Sequence, residues 1–264
     1  FDPTGASVAS GNKIGHLKIW NVKTAFNTYT VPTGDQPIVF LSWGSGTKIA
    51  VATDDDSTFY VYDYTTYEDK AFTGHTDKVN CLAYSPDKTK IASGSDDFTV
   101  RVWNAENPQL LLILNTDPKS PSHSVAWNPR GTQIVSGMGK YVQNAFGHNW
   151  VCVWNAQTQD AGTQNVETRD PLHYFTGHFK PVTSVAWSPN NLIVSGSEDD
   201  RCVRIWETKG TGWYNFFTHQ FSKSLLCLSV SEQSVLAMGV GEKLVVRDLE
   251  DLYAEYLKEI DAES

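Results

Sequence analysis

Two trios in this chain have the side chains of an acyl-transfer triad. His75, Ser93 and Asp97 recur as His178, Ser195 and Asp200, with Asp199 an alternative to the last because the second copy carries one extra residue. A serine nucleophile, a histidine base and an aspartate orienting that base would be hydrolytic chemistry. Each trio, however, travels with its surroundings. The stretch FTGHTDKVNCLAYSPDKTKIASGSDDFTVRVWN, Phe72 to Asn104, returns almost motif for motif as FTGHFKPVTSVAWSPNNLIVSGSEDDRCVRIWE, Phe175 to Glu207. A catalytic site would not repeat with a structural unit, and no single non-repeating cluster of His, Glu or Cys stands elsewhere. No catalytic residue is therefore expected, and the chain reads as a non-enzyme.

Metal and cofactor chemistry fare no better at this level. Cys81, Cys152, Cys202 and Cys227 all fall inside strand patterns, without Cys-x-x-Cys spacing or accompanying metal-ligand histidines, and read as buried free thiols in a reducing compartment. Acidic groups recur at Asp54-Asp55-Asp56, Asp96-Asp97 and Glu198-Asp199-Asp200, but no single loop supplies the alternating oxygen ligands that calcium needs. The expectation is no metal and no cofactor.

The elements that must position these side chains are short. VNCLAYS, KIASGS and TVRVW alternate with period two and are parted by turn residues, as consecutive antiparallel strands are. Ser85-Pro86-Asp87-Lys88 places proline at the second position of a type I turn, and Ser95-Asp96-Asp97 supplies Asx chemistry to the next turn. With the Gly74-His75 pair, the Asp of the turn and the closing Trp103, the unit resembles a repeat of the WD-repeat family of β-propellers. Third-strand ends recur at Trp20, Tyr62, Trp103, Trp154, Trp206 and Arg247, spaced near the ~40 to 45 residues of one four-stranded blade, so the resemblance covers nearly the whole chain.

That resemblance implies an all-β propeller of four-stranded antiparallel blades over residues 1–248, with six blades visible whole or in part and seven possible in a full-length chain. The first blade, Phe1 to Val31, lacks its innermost strand, and Ser224 to Asp248 gives three strands without a clear fourth. Closure of a ring would then take an outer strand and an inner strand from upstream sequence. Residues 249–264 form a C-terminal amphipathic helix and acidic tail, with Asp248 as N-cap and Leu249, Leu252, Tyr253, Tyr256, Leu257 and Ile260 on one face. Such a helix either packs on the propeller or meets a partner, packing being favoured.

In the family, a His before the first strand, a Ser or Thr in the second, an Asp in the following turn and the Trp of the third form a buried hydrogen-bonded chain. By resemblance, His75, Ser93, Asp97 and Trp103 form one such network and His178, Ser195, Asp200 and Trp206 the other. Their expected role is structural. Ile14 and Gly241 stand in the place of Asp97 in the first and sixth blades, and His148 in the fourth, so those blades are expected to lack the network. Gly15-His16 and Gly147-His148 lie next to third strands and are not copies of the Gly-His element.

The expected function is a non-catalytic protein-interaction scaffold, a subunit of a larger intracellular hetero-complex. Its alternative is a peptide or substrate-receptor module that reads a linear motif on the acidic face. The 264 residues carry a net charge of -9 with no cluster of Lys or Arg, which argues against direct nucleic-acid binding, and no apolar run is long enough for a membrane span. No Asn-x-Ser/Thr acceptor occurs. The acidic turns leave two readings open, turn-forming Asp chemistry or a negative rim of Asp54, Asp55, Asp96, Glu198 and Asp199 that steers a basic peptide. Gly139 to Asn149 enlarges one turn of the fourth blade, and Tyr141, Phe146 and the following Trp150 are candidate partner anchors. Partners of basic and apolar character would suit both features. Thr158 to Arg169, polar and free of aromatics, is expected to be a mobile solvated loop.

Overall fold

Among the described residues twenty-three strands carry the fold, and the second strand of each blade from the second to the fifth is buried almost throughout. In the computed structural model, residues 1–54, 56–116, 119–140, 149–158, 166–209, 212–252 and 254 are described. Sheet one is β1 (Ser7–Gly11), β2 (His16–Asn21) and β3 (Asn27–Pro32). Sheet two is β4 (Ile38–Trp43), β5 (Lys48–Thr53), β6 (Phe59–Asp63) and β7 (Asp69–Phe72). Sheet three is built on β8 (Val79–Tyr84), β9 (Lys90–Ser95), β10 (Thr99–Asn104) and β11 (Leu110–Asn115). Next come β12 (Ser122–Trp127), β13 (Gln133–Met138) and β14 (Val151–Asn155), then β15 (Glu167–Arg169), then β16 (His173–Phe175), which completes sheet four beside β14. Sheet five is β17 (Ser184–Trp187), β18 (Ile193–Ser197), β19 (Cys202–Lys209) and β20 (Gly212–Gln220), and sheet six is β21 (Leu225–Val230), β22 (Val235–Val240) and β23 (Lys243–Asp248). Within each sheet consecutive strands pair antiparallel, as the blades of a six-blade β-propeller do, and among the described residues the first and last blades have three strands.

Turn chemistry sets the register. In the third blade the Lys88 amide donates to Ser85 O at 2.9 Å and Lys88 sits at φ 61, so a type I turn ends in a left-handed residue before β9 starts. The fourth and fifth blades repeat this with Gly131 at φ 66 and Asn191 at φ 62. Side-chain bonds hold the same turn, with the Ser85 hydroxyl donating to Asp87 at 2.6 Å and accepting the Lys90 amide at 2.9 Å.

The chain divides into two units, Phe1–Ser122 with Thr158–Asp170, and His123–Gln157 with Pro171–Ser264. In the first, one core gathers Leu17, Ile19, Trp43, Ile49 and Tyr62, and another gathers Phe59, Phe72, Leu82, Ile91 and Trp103. Phe59 and Phe72 stack at 4.6 Å and Trp103 meets Phe59 edge-on at 5.7 Å, a geometry that adds to the ~1.5 to 3 kcal/mol each ring gains on burial. In the second unit, Val153, Phe175, Trp187 and Trp206 form one core, and Ile205, Leu225, Leu236, Met238, Leu249 and Leu252 belong to another. The last two residues come from a short C-terminal helix over 249–252. Asp248 caps it by accepting the Glu250 amide at 2.8 Å. Its described start packs inward, while Tyr253, Tyr256, Leu257, Ile260 and the acidic tail lie outside the described residues.

Two sequence expectations are corrected. The stretch Thr158 to Arg169 is not loop to its end, because Glu167–Arg169 form β15, which pairs parallel with β11 through Leu112, Ile113 and Leu114. Three polar residues without alternation gave no strand signal, and their partner strand lies over fifty residues earlier in the chain. Nor are all four cysteines buried, since Cys227 is exposed. A register shift between Leu225 and Cys227 sets two residues of β21 against one of β22 and breaks the alternation that would have turned this thiol inward.

Candidate functional site

The third and fifth blades each bring four distant side chains into one buried chain. His75 sits in the approach to β8, Ser93 on β9, Asp97 in the turn after β9 and Trp103 on β10. His75 Nδ1 lies 2.7 Å from Asp97 Oδ2 and its Nε2 lies 2.7 Å from Ser93 Oγ, while the Trp103 indole N–H donates to the same Oγ at 2.8 Å. In the fifth blade His178 Nδ1 lies 2.9 Å from Asp200 Oδ2, its Nε2 lies 2.8 Å from Ser195 Oγ, and the Trp206 indole donates to Ser195 Oγ at 2.8 Å. Asp200, not Asp199, closes this network. One assignment of protons satisfies every atom: Nδ1–H donates to the carboxylate, the serine hydroxyl donates to Nε2, and the indole donates to the hydroxyl.

Electrostatics agree with that assignment. Burial holds His75 and His178 below the usual imidazole range, against the pull of the paired aspartates, so both rings are neutral at pH 7. Burial opposes ionisation of Asp97, but hydrogen bonds from His75, Thr99 and the Thr76 amide outweigh it and hold the carboxyl well below its ordinary value. Asp200 is depressed in the same way, with burial opposed by His178 and the Phe179 amide.

As an acyl-transfer site the arrangement is ill suited. The serine oxygen is fully buried and already accepts an indole N–H, and the histidine side chains are essentially closed to solvent, so a substrate carbonyl has no approach. Gly74 and Gly177 complete the closure. They adopt φ 146 and φ 142, and a Cβ on Gly74 would come 3.1 Å from Trp103 and from Arg101 Nη1. Arg101 in turn lies 3.5 Å from Asp97, and Arg204 donates to Gly177 O at 3.0 Å, so these arginines brace the networks.

Register identifies what occupies the same places in other blades. Ser93 faces Arg101 and Trp103 faces Ile91; the corresponding pairs are Ser10 with Lys18 and Trp20 with Val8 in the first blade, and Ser136 with Cys152 and Trp154 with Ile134 in the fourth. Trp20 still donates to Ser10 Oγ at 2.8 Å, so the first blade keeps the Ser–Trp end of the network without its His and Asp. In the fourth blade Ser136 Oγ and Trp154 Nε1 are both buried and neither has a hydrogen-bond partner.

Sequence reasoning saw no histidine accompanying any cysteine, and here it missed a neighbour. The fold brings His178, Asp200 and Cys202 together with ligand atoms within 4.8 Å of one another, a grouping that would suit a metal ion. The third blade explains it. Thr99 stands in the place of Cys202, its hydroxyl donating to Asp97 Oδ1 at 2.6 Å, and both nitrogens of His178 are engaged by Asp200 and Ser195. Aligning the two repeats sets Thr99 against Cys202 and would have found this.

The acidic turns are partly neutralised from within. Lys78 pairs with Asp54, and the Asn80 amide donates to Asp96 at 2.6 Å. Glu198 is half-buried and Asp199 is exposed, while Asp55 lies outside the described residues. Among the anchor candidates, Trp150 is half-buried and meets Tyr174 edge-on at 4.8 Å, and Tyr141 and Phe146 lie outside the described residues. No helix among the described residues is long and apolar enough to cross a membrane.

Similarity to known proteins follows the two complete networks. The family model for the WD domain, G-beta repeat, matches residues 67–104 and 169–207, the segments that contain them. Protein HIR1 of Candida albicans is 25% identical over 233 residues, covering 82% of this chain and 23% of that protein. Transcription initiation factor TFIID subunit 5 of Caenorhabditis elegans is 26% identical, covering 67% of this chain and 24% of that protein. E3 ubiquitin-protein ligase COP1 of Arabidopsis thaliana is 27% identical, covering 75% and 27% respectively. The chain thus spans about a quarter of the length of these curated relatives.

Proposed function

We propose, from the premise that this chain is a WD-repeat β-propeller, that it acts as a non-catalytic protein-interaction scaffold, a subunit of a larger intracellular hetero-complex. The observation that carries this reading is the complete internal use of the two His–Ser–Asp–Trp networks. Groups able to do chemistry are spent on holding blades, which leaves the surface for binding. Similarity to a subunit of a transcription initiation factor is in keeping with this.

On this reading the partner is a protein with apolar and basic character, and its contact lies at the enlarged turn of the fourth blade, residues 139–149, with Asp199 adding negative charge. Aromatic rings are the usual anchors of interface hot spots. Tyr141→Ala and Phe146→Ala, assayed for partner binding and for melting, test the placement. At least one is expected to weaken binding by about 1 to 3 kcal/mol with melting unchanged. Unchanged affinity with lowered melting would assign the rings to the propeller's own packing instead.

A further inference from the structure

The third blade has five strands, and the fifth comes from far along the chain. β15 lies in sequence between β14 and β16, yet it pairs with β11, with Leu112 opposite Glu167, Ile113 opposite Thr168 and Leu114 opposite Arg169. An outer strand normally carries its own protection against further pairing, such as charge or proline. β7 opens on Asp69-Lys70 and β3 closes on Pro32. By contrast β11 reads Leu-Leu-Leu-Ile-Leu-Asn, with neither. Its N–H and C=O groups form an edge open to a partner strand, and β15 demonstrates that the edge accepts one in parallel register.

The occupant is short and polar. It is three residues long, its central Thr168 is exposed, and the half-buried Glu167 and Arg169 lie on the other side of the strand, Arg169 Nε donating to Glu167 at 3.1 Å. A permanent cover for an apolar edge would be longer and apolar. We propose that the outer edge of the third blade is a strand-docking site for an extended peptide segment of another protein, and that β15 is the tethered resident that such a segment displaces. Recognition would be by the backbone ladder, with a β-branched residue facing outward as in β15 itself. This inference is independent of the enlarged turn in the fourth blade.

A tethered strand competes at an effective concentration in the millimolar range, so its removal should unmask the edge. In a parallel ladder only alternate amides of a strand point at a given neighbour, so Thr168→Pro and Glu167→Pro between them must remove a ladder donor. Thr168→Val keeps the strand and serves as control. The probe is a fluorescein-labelled peptide of residues 166–172, followed by anisotropy on the whole chain, with hydrogen exchange at Leu112–Leu114 read in parallel. The expected result is at least tenfold tighter peptide binding by one proline variant than by wild type or Thr168→Val, with faster exchange in β11 that slows again when peptide is added. Near-UV circular dichroism from the buried tryptophans reports that the variant is folded. Unchanged exchange in both proline variants, or peptide binding no tighter than in the control, would overturn the proposal. A concentration-dependent dimer that ignores the peptide would also overturn it, making β15 a guard against a second copy of the chain.

Discussion

Ser93→Ala and Ser136→Ala make the same chemical change at equivalent positions of the third and fourth blades, and should have unequal consequences. Ser93 Oγ sits between His75 Nε2 at 2.7 Å and the Trp103 indole at 2.8 Å, in a site closed to water. Its loss strands one buried acceptor and one buried donor, each worth roughly 1 to 3 kcal/mol, so a total of about 2 to 4 kcal/mol is expected after some relaxation. Ser136 Oγ is equally buried but has no partner, so its removal breaks no hydrogen bond and should change stability by less than about 0.5 kcal/mol. For a chain of this size about 3 kcal/mol corresponds to a melting shift of roughly 6 to 12 °C. Urea unfolding followed by tryptophan fluorescence measures both, with the slope m compared first to establish that the transitions are alike. Equal losses for the two variants would refute the reasoning, because hydrogen-bond connectivity would then not be what distinguishes these blades.

Three further outcomes are expected. Stability should fall as pH drops: His75 and His178 have folded pKa values below their unfolded ~6.5, so their contribution is full above that value and is lost as pH falls through the folded values, and the depressed Asp97 and Asp200 act with the same sign below pH ~4; a melting temperature flat between pH 7 and 3 would contradict this. Thiol titration with Ellman's reagent should find one reactive cysteine in the native chain, Cys227, and the other three only on unfolding, since burial pushes Cys81 up to about 12 and raises Cys152 and Cys202 as well. Asp248→Ala should cost about 1 kcal/mol by uncapping the helix that seats Leu249 and Leu252, and an unchanged urea midpoint would deny the helix that role.

Blades were legible because their signals are local. Alternation in Val79–Tyr84 and Lys90–Ser95, together with the Ser85-Pro86-Asp87 turn, specifies a hairpin without reference to anything distant. The two networks were expected by resemblance, and register sets Ser93 opposite Arg101 and Ser195 opposite Arg204. What could not be read was pairing across the chain. β15 shows no alternation of its own and becomes a strand only because β11 offers it an edge. The pairing of Lys78 with Asp54 joins residues 24 apart in sequence and has no local signal. The unpaired state of Ser136 and Trp154 is likewise invisible in sequence, where SGM and VWN look as complete as SGS and VWN do.

The networks also decide where this scaffold tolerates novelty. Asp97 reaches His75 from a connection of three residues between β9 and β10, and the fifth blade keeps its bond to His178 with one residue more. A longer segment spliced into either connection would carry the aspartate away from its imidazole. In the fourth blade Ser136 Oγ and Trp154 Nε1 are unpartnered, and the equivalent connection, from Met138 to Val151, runs to twelve residues. Length at that turn and the unpaired state of this serine and tryptophan are one property seen from two sides. For anyone grafting a recognition loop onto this chain, the graft belongs in the fourth blade, and the turns at Asp97 and Asp200 should be left as they are.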